Sequence, residues 1–165
     1  MAIKRYSIPQ IGLHWWMALL FGANYIVSEG MGEFLDKHLD GMDTSNDWVA
    51  QFHVYVGLFF LVSLVIRLLL RLFQKAPEAA ASSNPRLDQI AVYTHRLLYL
   101  LMFLVPLAGM LAWFGKIDQF GDIHVILMNC LLALIGLHVV GAIYHQFVLK
   151  DGLMTRMSPL GTNKK

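Results

Sequence analysis

The sequence predicts an all-α membrane protein, a bundle of four transmembrane helices with both termini in the cytoplasm. Of its 165 residues, 57% are hydrophobic and 15% are charged, whereas a soluble domain typically carries about 25% charged residues. The apolar residues also fall into four runs, residues 10–28, 50–73, 90–113 and 124–149. Each run is long enough for the roughly 20 helical residues that cross a bilayer.

The first run is preceded by Met1-Ala2-Ile3-Lys4-Arg5. It lacks a small-residue cleavage site near its end, so it is predicted to be an uncleaved span rather than a signal peptide. The runs show no alternation of polar and apolar residues, which a barrel would need. Since a chain in lipid must satisfy its backbone hydrogen bonds internally, each run is predicted to be a helix.

The four spans leave room for one domain over residues 1–165. The Ala/Ser/Pro stretch Ala76–Pro85 is predicted to be a short linker between the second and third spans. Cys130, the only cysteine, lies within the fourth run and is expected to be a buried core thiol.

Basic residues set the predicted orientation. Eleven of the 13 lysines and arginines lie on the side of the termini, and only Lys37 and Lys116 lie on the other. By the positive-inside rule that side is cytoplasmic. Because topology accounts for the basic residues, nothing supports nucleic-acid binding. Tryptophans near the span ends are typical of an interfacial aromatic belt: Trp15, Trp16, Trp48 and Trp113.

The outer face is predicted to be acidic. The first outer loop alone, from Glu29 to Asp47, holds six acids against Lys37, and the second adds Asp118 and Asp122. His38 lies within this acidic loop and is expected to be solvated.

Six histidines lie in the spans or at their mouths: His14, His53, His95, His124, His138 and His145. Ionisable groups at such depth are costly, and they usually mark function. His124 and His138 are 14 residues apart in the fourth span, a rise of about 21 Å and nearly four turns. They therefore project from one face, one near each membrane surface.

Each of these two histidines has a candidate partner at matching depth. His53 opens the second span level with His124, and His14 lies in the first span level with His138. Axial ligation of haem iron requires one imidazole from each side, so the pattern predicts two haems. These are an outer haem on His53 and His124 and an inner haem on His14 and His138. Iron with two histidine ligands has no open position, which favours electron transfer over oxygen binding.

Arg67 follows His53 by 14 residues on the same face and, with Arg71, is a candidate contact for the haem propionates. Ordinary positive-inside anchoring explains both arginines equally well. For the histidines the alternative is polar contact between helices, which does not explain the paired depths. No Glu-x-x-His pair or cysteine ligand set indicates a zinc or di-metal site.

His95 and His145 lie on the inner side, near the edge of the predicted inner haem. A histidine there could hydrogen-bond a quinone carbonyl and exchange a proton with it. The alternative is contact with a propionate or an axial ligand.

Several of these motifs together resemble the bacterial cytochrome b561 family along nearly the whole chain. They are His14-Trp15, His53-x-x-x-Gly57, Arg67-Leu-Leu-Leu-Arg71, His95 leading to Pro106-x-x-Gly109, Ile135-Gly136-Leu137-His138, His145 and Lys150-Asp151. The resemblance implies a dihaem b-type cytochrome of the inner membrane that exchanges electrons with the quinone pool. It also implies the same ligand pairing, with His95 and His145 at the quinone.

One branch of that family is a superoxide oxidase, which passes electrons from periplasmic superoxide through two haems to ubiquinone. Superoxide is thus the first expected donor and ubiquinone the acceptor, in a membrane oxidoreductase. The acidic outer face departs from the basic surface of that branch, because it would repel an anion and attract a cation. The alternative is a non-catalytic electron-transfer subunit that serves a basic periplasmic partner protein.

Overall fold

A computed structural model describes residues 5–74 and 85–158, and these residues are helical apart from short connections. Five α-helices follow one another: α1 (Ile8–Val27), α2 (Met31–Leu39), α3 (Trp48–Phe73), α4 (Pro85–Trp113) and α5 (Gln119–Tyr144). A π-helical turn, His145–Leu149, continues α5, and a 3-10 turn, Leu153–Arg156, comes after it. The all-α prediction is confirmed.

Local sequence explains where α1 begins. The Ser7 hydroxyl accepts from the Gln10 backbone N–H, and the Gln10 side chain accepts from the Ser7 N–H. This reciprocal cap satisfies donors that a helix start leaves unpaired. The Ser7 hydroxyl also donates to Gln74 Oε1 at 2.5 Å, so the beginning of α1 and the end of α3 lie at the same level.

Three helical segments are long and apolar enough to cross a membrane: Trp48–Phe73, Pro85–Trp113 and Gln119–Leu149. They correspond to the second, third and fourth predicted spans. Many large apolar side chains on these helices point outward, Leu72 at 78% exposed and Val140 at 63% among them, as lipid-facing surfaces do. α1 has no charged residue but carries Gln10, His14 and Asn24, which reduce its hydropathy. Its crossing stays a prediction.

The loop predicted between the first two spans contains α2, which the sequence reasoning missed. α2 contacts both α3 and α4. His38, predicted to be solvated, instead stacks on Trp113 with ring centroids 4.1 Å apart and planes 4° from parallel. Its Nε2 donates to the Trp113 carbonyl at 3.1 Å. That prediction was wrong, because α2 folds back onto the end of α4.

The helices associate as two pairs. Met17, Leu20, Phe60 and Leu64 form one buried cluster, mainly between α1 and α3, while Leu98, Leu101, Val105 and Leu131 form a second between α4 and α5. Phe21 and Met102 pack against both clusters. Among the described residues α5 does not pack closely along either α1 or α3. Burying leucine yields little hydrophobic gain in lipid, so van der Waals packing within each pair holds it together. The space between the pairs remains available.

The structure contradicts the prediction for Cys130 and does not describe several residues of other predictions. Cys130 is exposed on the outer surface of α5, so its assignment as a core thiol was wrong. The predicted linker, except for Pro85, lies outside the described residues, as do Lys4, Lys75, Lys164 and Lys165.

Candidate functional site

Two histidine pairs face each other across the space between the helix pairs. His53 from α3 and His124 from α5 have ring centroids 5.9 Å apart and planes at 78°. This is the α2-side pair, since both residues lie at the helix ends near α2. His14 from α1 and His138 from α5 have centroids 6.3 Å apart and planes at 76°. This is the terminal-side pair.

The two separations fit a metal ion held between imidazoles. Bonds from a metal to an imidazole nitrogen are about 2.0–2.1 Å long, so ligands on opposite sides of one ion have ring centres roughly 6 Å apart. Edge-to-face contact between two rings spans the same range of centroid distances, about 4.5–7 Å. The rings are brought together in the predicted combinations, His53 with His124 and His14 with His138.

His124 is held in one orientation by α4. Its Nδ1 lies 2.8 Å from the Val105 carbonyl, and because a carbonyl only accepts, Nδ1 must carry the proton. Nε2 is then the free acceptor that can bind a metal. Gly109 makes room for the ring: a Cβ at this position would lie 3.0 Å from Nδ1 and 3.2 Å from Cε1.

A cavity of about 610 Å³ contains the α2-side pair, which is within the usual range for cofactor sites. Asn24 Oδ1 and His53 Nδ1 are buried there with no hydrogen-bond partner among the described residues. Buried polar groups without partners are rare and often mark a ligand site. The cavity wall also includes Gly57, Pro106, Asp118 and Asp122.

His95 lies beside the terminal-side pair. Its ring centroid is 5.1 Å from that of His138, at 86°, but its Nδ1 donates to the Ala91 carbonyl at 2.6 Å. The side chain is exposed. The contact to Ala91 leaves Nε2 of His95 as free as that of His124, so the ring separation distinguishes the two candidates: the 6.3 Å from His14 to His138 is closer than 5.1 Å to the separation expected across a metal ion.

Two arginines and a tyrosine form a cluster on the terminal side. Arg67 Nε donates to the Tyr99 hydroxyl at 3.1 Å, and Arg71 Nη1 donates to the same oxygen at 3.4 Å. Arg67 Nη1 is buried without a hydrogen-bond partner among the described residues, and the residue lies close to His14 and His138. Arg71 is exposed. Arg67 thus has a free donor for an anionic group near this pair, whereas Arg71 mainly braces Tyr99.

His145 begins the π-helical turn and contacts the segment after it. Its Nδ1 lies 2.6 Å from Asp151 Oδ2, with the side chains 13% and 22% exposed. Lys150 and Gly152 have positive φ, 53° and 71°, and this reverses the chain so that Asp151 returns to His145. Among the described residues, His145 contacts Asp151 and Tyr144 and not His95.

The α2 side of the molecule is acidic. Lys37 of α2 is paired with Glu33 at 2.7 Å and holds the pKa of that carboxyl below its usual range. Both groups therefore stay ionised and compensate each other at neutral pH. Asp36, Asp40 and Asp118 surround Lys116 in a neighbouring depression, so the net field on this side is negative.

Sequence reasoning missed several residues around the site. Tyr99 and Val105 act through contacts between distant segments and have no spacing signal, while Asp151 is singled out by the sequence only as part of the Lys150-Asp151 motif. Asn24 left one, since a lone amide in an apolar run is costly unless it has a partner. Gly109 had been noted only as part of a motif.

Comparisons with known proteins identify the family. The family model described as prokaryotic cytochrome b561 matches residues 5–159. The chain is 37% identical to "Cytochrome b562" of Cereibacter sphaeroides, covering 92% of this chain and 94% of that protein. It is 29% identical to "Probable superoxide oxidase CybB" of Yersinia pestis, covering 94% and 97%. "Cytochrome b561 homolog 2" of Escherichia coli is 24% identical, covering 93% and 91%. The chain therefore belongs to the prokaryotic cytochrome b561 family of haem b membrane electron-transfer proteins.

Proposed function

We propose that the protein is a dihaem cytochrome that carries electrons across the bacterial inner membrane to ubiquinone. The observation that carries the proposal is the separation of roughly 6 Å in both histidine pairs. α1, α3, α4 and α5 would then form a four-helix transmembrane bundle, with both termini in the cytoplasm as the basic residues indicate. The α2-side pair, His53 and His124, holds the outer haem, and His14 and His138 hold the inner one.

Bound haem supplies a one-electron couple between ferrous and ferric iron. The protein fixes the axial imidazoles: the Val105 carbonyl orients His124, and hydrogen bonding at Nδ1 makes the ligand more basic. The free donor of Arg67 suits a propionate near the inner haem, where it would offset negative charge. Arg71 supports this arrangement through Tyr99.

Ubiquinone is proposed to bind on the terminal side, near His95 and His145. The ring of His95 lies 5.1 Å from that of His138, which would hold the inner haem, so a quinone beside His95 would be within short electron-transfer distance. His145 lies one helical segment further along the chain and is paired with an acid. It is therefore the better candidate for proton exchange.

The purified protein should contain two haems per chain, both b-type in their reduced spectrum. After anaerobic reduction with dithionite and removal of excess reductant, added ubiquinone-1 should reoxidise both haems. Haem content is measured as the pyridine haemochrome and reoxidation by stopped-flow absorbance. One haem per chain would contradict the pairing, whereas two haems that ubiquinone-1 leaves reduced would contradict only the acceptor.

Superoxide is the first candidate donor, supported by the Yersinia pestis relative named as a superoxide oxidase. A second candidate function is supported by the acidic α2 side, which suits a basic electron-transfer protein. In that case the protein is a non-catalytic relay between this partner and the quinone pool.

A superoxide pulse separates the two candidates. If superoxide is the donor, a pulse generated by radiolysis should reduce the oxidised haems, and the rate should rise with ionic strength because salt screens repulsion between like charges. If a basic partner is the donor, the haems should stay oxidised under the pulse. Reduced horse-heart cytochrome c, used as a basic probe, should then bind with an affinity that falls steeply with salt.

A further inference from the structure

The contact between His145 and Asp151 lies outside both histidine pairs. His145 lies seven residues beyond His138, at the end of α5. The carboxylate of Asp151 makes two contacts: Oδ2 accepts from His145 Nδ1 at 2.6 Å, and Oδ1 accepts from the Leu153 N–H at 3.0 Å. Both oxygens are therefore fixed, and Nε2 of His145 is the free ring nitrogen.

The segment that carries Asp151 is itself anchored. The Trp15 indole N–H donates to the Met157 carbonyl at 2.9 Å, and the Tyr6 N–H donates to the Arg156 carbonyl at 3.3 Å. Residues 150–158 are thus attached to the beginning of α1, close in sequence to His14. This attachment holds the carboxylate in place beside the imidazole instead of leaving it on a free tail.

We propose that Asp151 is a positioning residue for proton delivery to the quinone through His145. The proposal rests on the proposed quinone function and assigns the route of its protons. Reduction of one ubiquinone takes two electrons and two protons. The electrons come from two ferrous haem irons, which become ferric, and with the protons they convert the two carbonyls to hydroxyls. Asp151 keeps the Nδ1 proton in place and fixes the ring, so that Nε2 can take up a proton from the aqueous side and donate it to a quinone oxygen.

Asp151 is expected to position His145 as a carboxylate positions the imidazole in any carboxylate–imidazole pair. An acceptor at Nδ1 selects the tautomer and holds the ring in one orientation. With only a small exposed fraction, 13% for His145 and 22% for Asp151, the pair interacts more strongly than it would in bulk water. It still has contact with solvent, from which the protons must come.

The test is the Asp151→Asn variant. The amide keeps an oxygen for the Leu153 N–H, but its NH₂ group cannot accept from Nδ1, so His145 takes the other tautomer. In stopped-flow reoxidation of dithionite-reduced protein by ubiquinone-1, the maximal rate should fall at least about tenfold, the lower end of general-acid contributions. Haem content and the ubiquinone-1 concentration at half-maximal rate should be unchanged. Asp151→Glu, which keeps the carboxylate, should recover part of the rate.

Asp43→Asn is the matched control. Asp43 Oδ1 accepts from the N–H two residues later, that of Ser45, at 2.9 Å, as Asp151 does from Leu153, but no histidine contacts Asp43 among the described residues. This variant should reoxidise at the wild-type rate. In a His145→Gln chain, adding Asp151→Asn should cause no further loss, because the two residues act as one unit.

A wild-type maximal rate in Asp151→Asn would overturn the role of Asp151. So would a loss of rate that comes with lost haem or is equally large in the His145→Gln background, since either would indicate a purely structural effect. If the wild-type protein itself is not reoxidised by ubiquinone-1, the proposed quinone function fails, and the inference fails with it.

Discussion

Replacing His124 by alanine should reduce the haem content from two per chain to one. The haem that remains should be the one between His14 and His138, since His138 lies about four helical turns from His124 along α5 and its ring pairs with His14 of α1 instead. Loss of an axial ligand leaves iron with a single protein bond, and the space opened by a methyl side chain offers no replacement donor. The effect should therefore be complete rather than partial.

The measurement is the pyridine haemochrome, combined with a redox titration of the absorbance. The His124→Ala protein should titrate as a single component whose midpoint matches one of the two wild-type components. His53→Ala should retain the same component, and His138→Ala should retain the other one. If His53→Ala and His124→Ala retained different components, the pairing of these two residues would be wrong.

Replacing Gly109 by valine should have the second-largest effect, although Gly109 touches no haem in the proposed site. Even a single Cβ at this position would lie 3.0 Å from His124 Nδ1, so a branched side chain must displace the imidazole or break its bond to Val105. Substitutions that disturb such supporting contacts typically cost about 10- to 100-fold in metal affinity. We expect a loss of that size for the outer haem alone.

Gly136→Val is the appropriate control, since a Cβ at Gly136 would meet nothing within 4 Å and the residue faces outward on α5. Haem transfer to apomyoglobin, followed by absorbance, would measure the affinity. The fast-releasing haem of Gly109→Val should be the component that His124→Ala loses. Equal release of both haems from Gly109→Val would show instead a general disturbance of the α4–α5 packing.

Much of this architecture could be predicted because membrane helices obey a simple length rule. The boundaries of α3, α4 and α5 lie within a few residues of the predicted runs, apart from early starts at Pro85 and Gln119. The histidine pairs could be predicted for a similar reason. The fixed rise and turn of an α-helix mean that a spacing of 14 residues sets both the distance between two side chains and the face they share.

The features that could not be predicted depend on whether a helix face contacts protein or lipid, and on contacts between segments that are distant in the sequence. α5 is apolar all round, so its pattern does not distinguish lipid from core, and the prediction for Cys130 was wrong. α2 is short and rich in acids, without the long apolar pattern that revealed the other helices. The return of Asp151 to His145 depends on Lys150 at positive φ. A lysine rarely adopts this conformation, so the sequence does not predict it.

The separation of the chain into two helix pairs with their own cores has a consequence for biogenesis. Within each pair the helices pack on each other, but little protein–protein surface draws α5 toward α1 and α3. Cofactor insertion would supply the missing contacts and stabilise the final form by mass action. Cells starved of iron or of porphyrin should therefore accumulate a loosely joined precursor, open to membrane proteases, and the abundance of the protein would follow the haem supply.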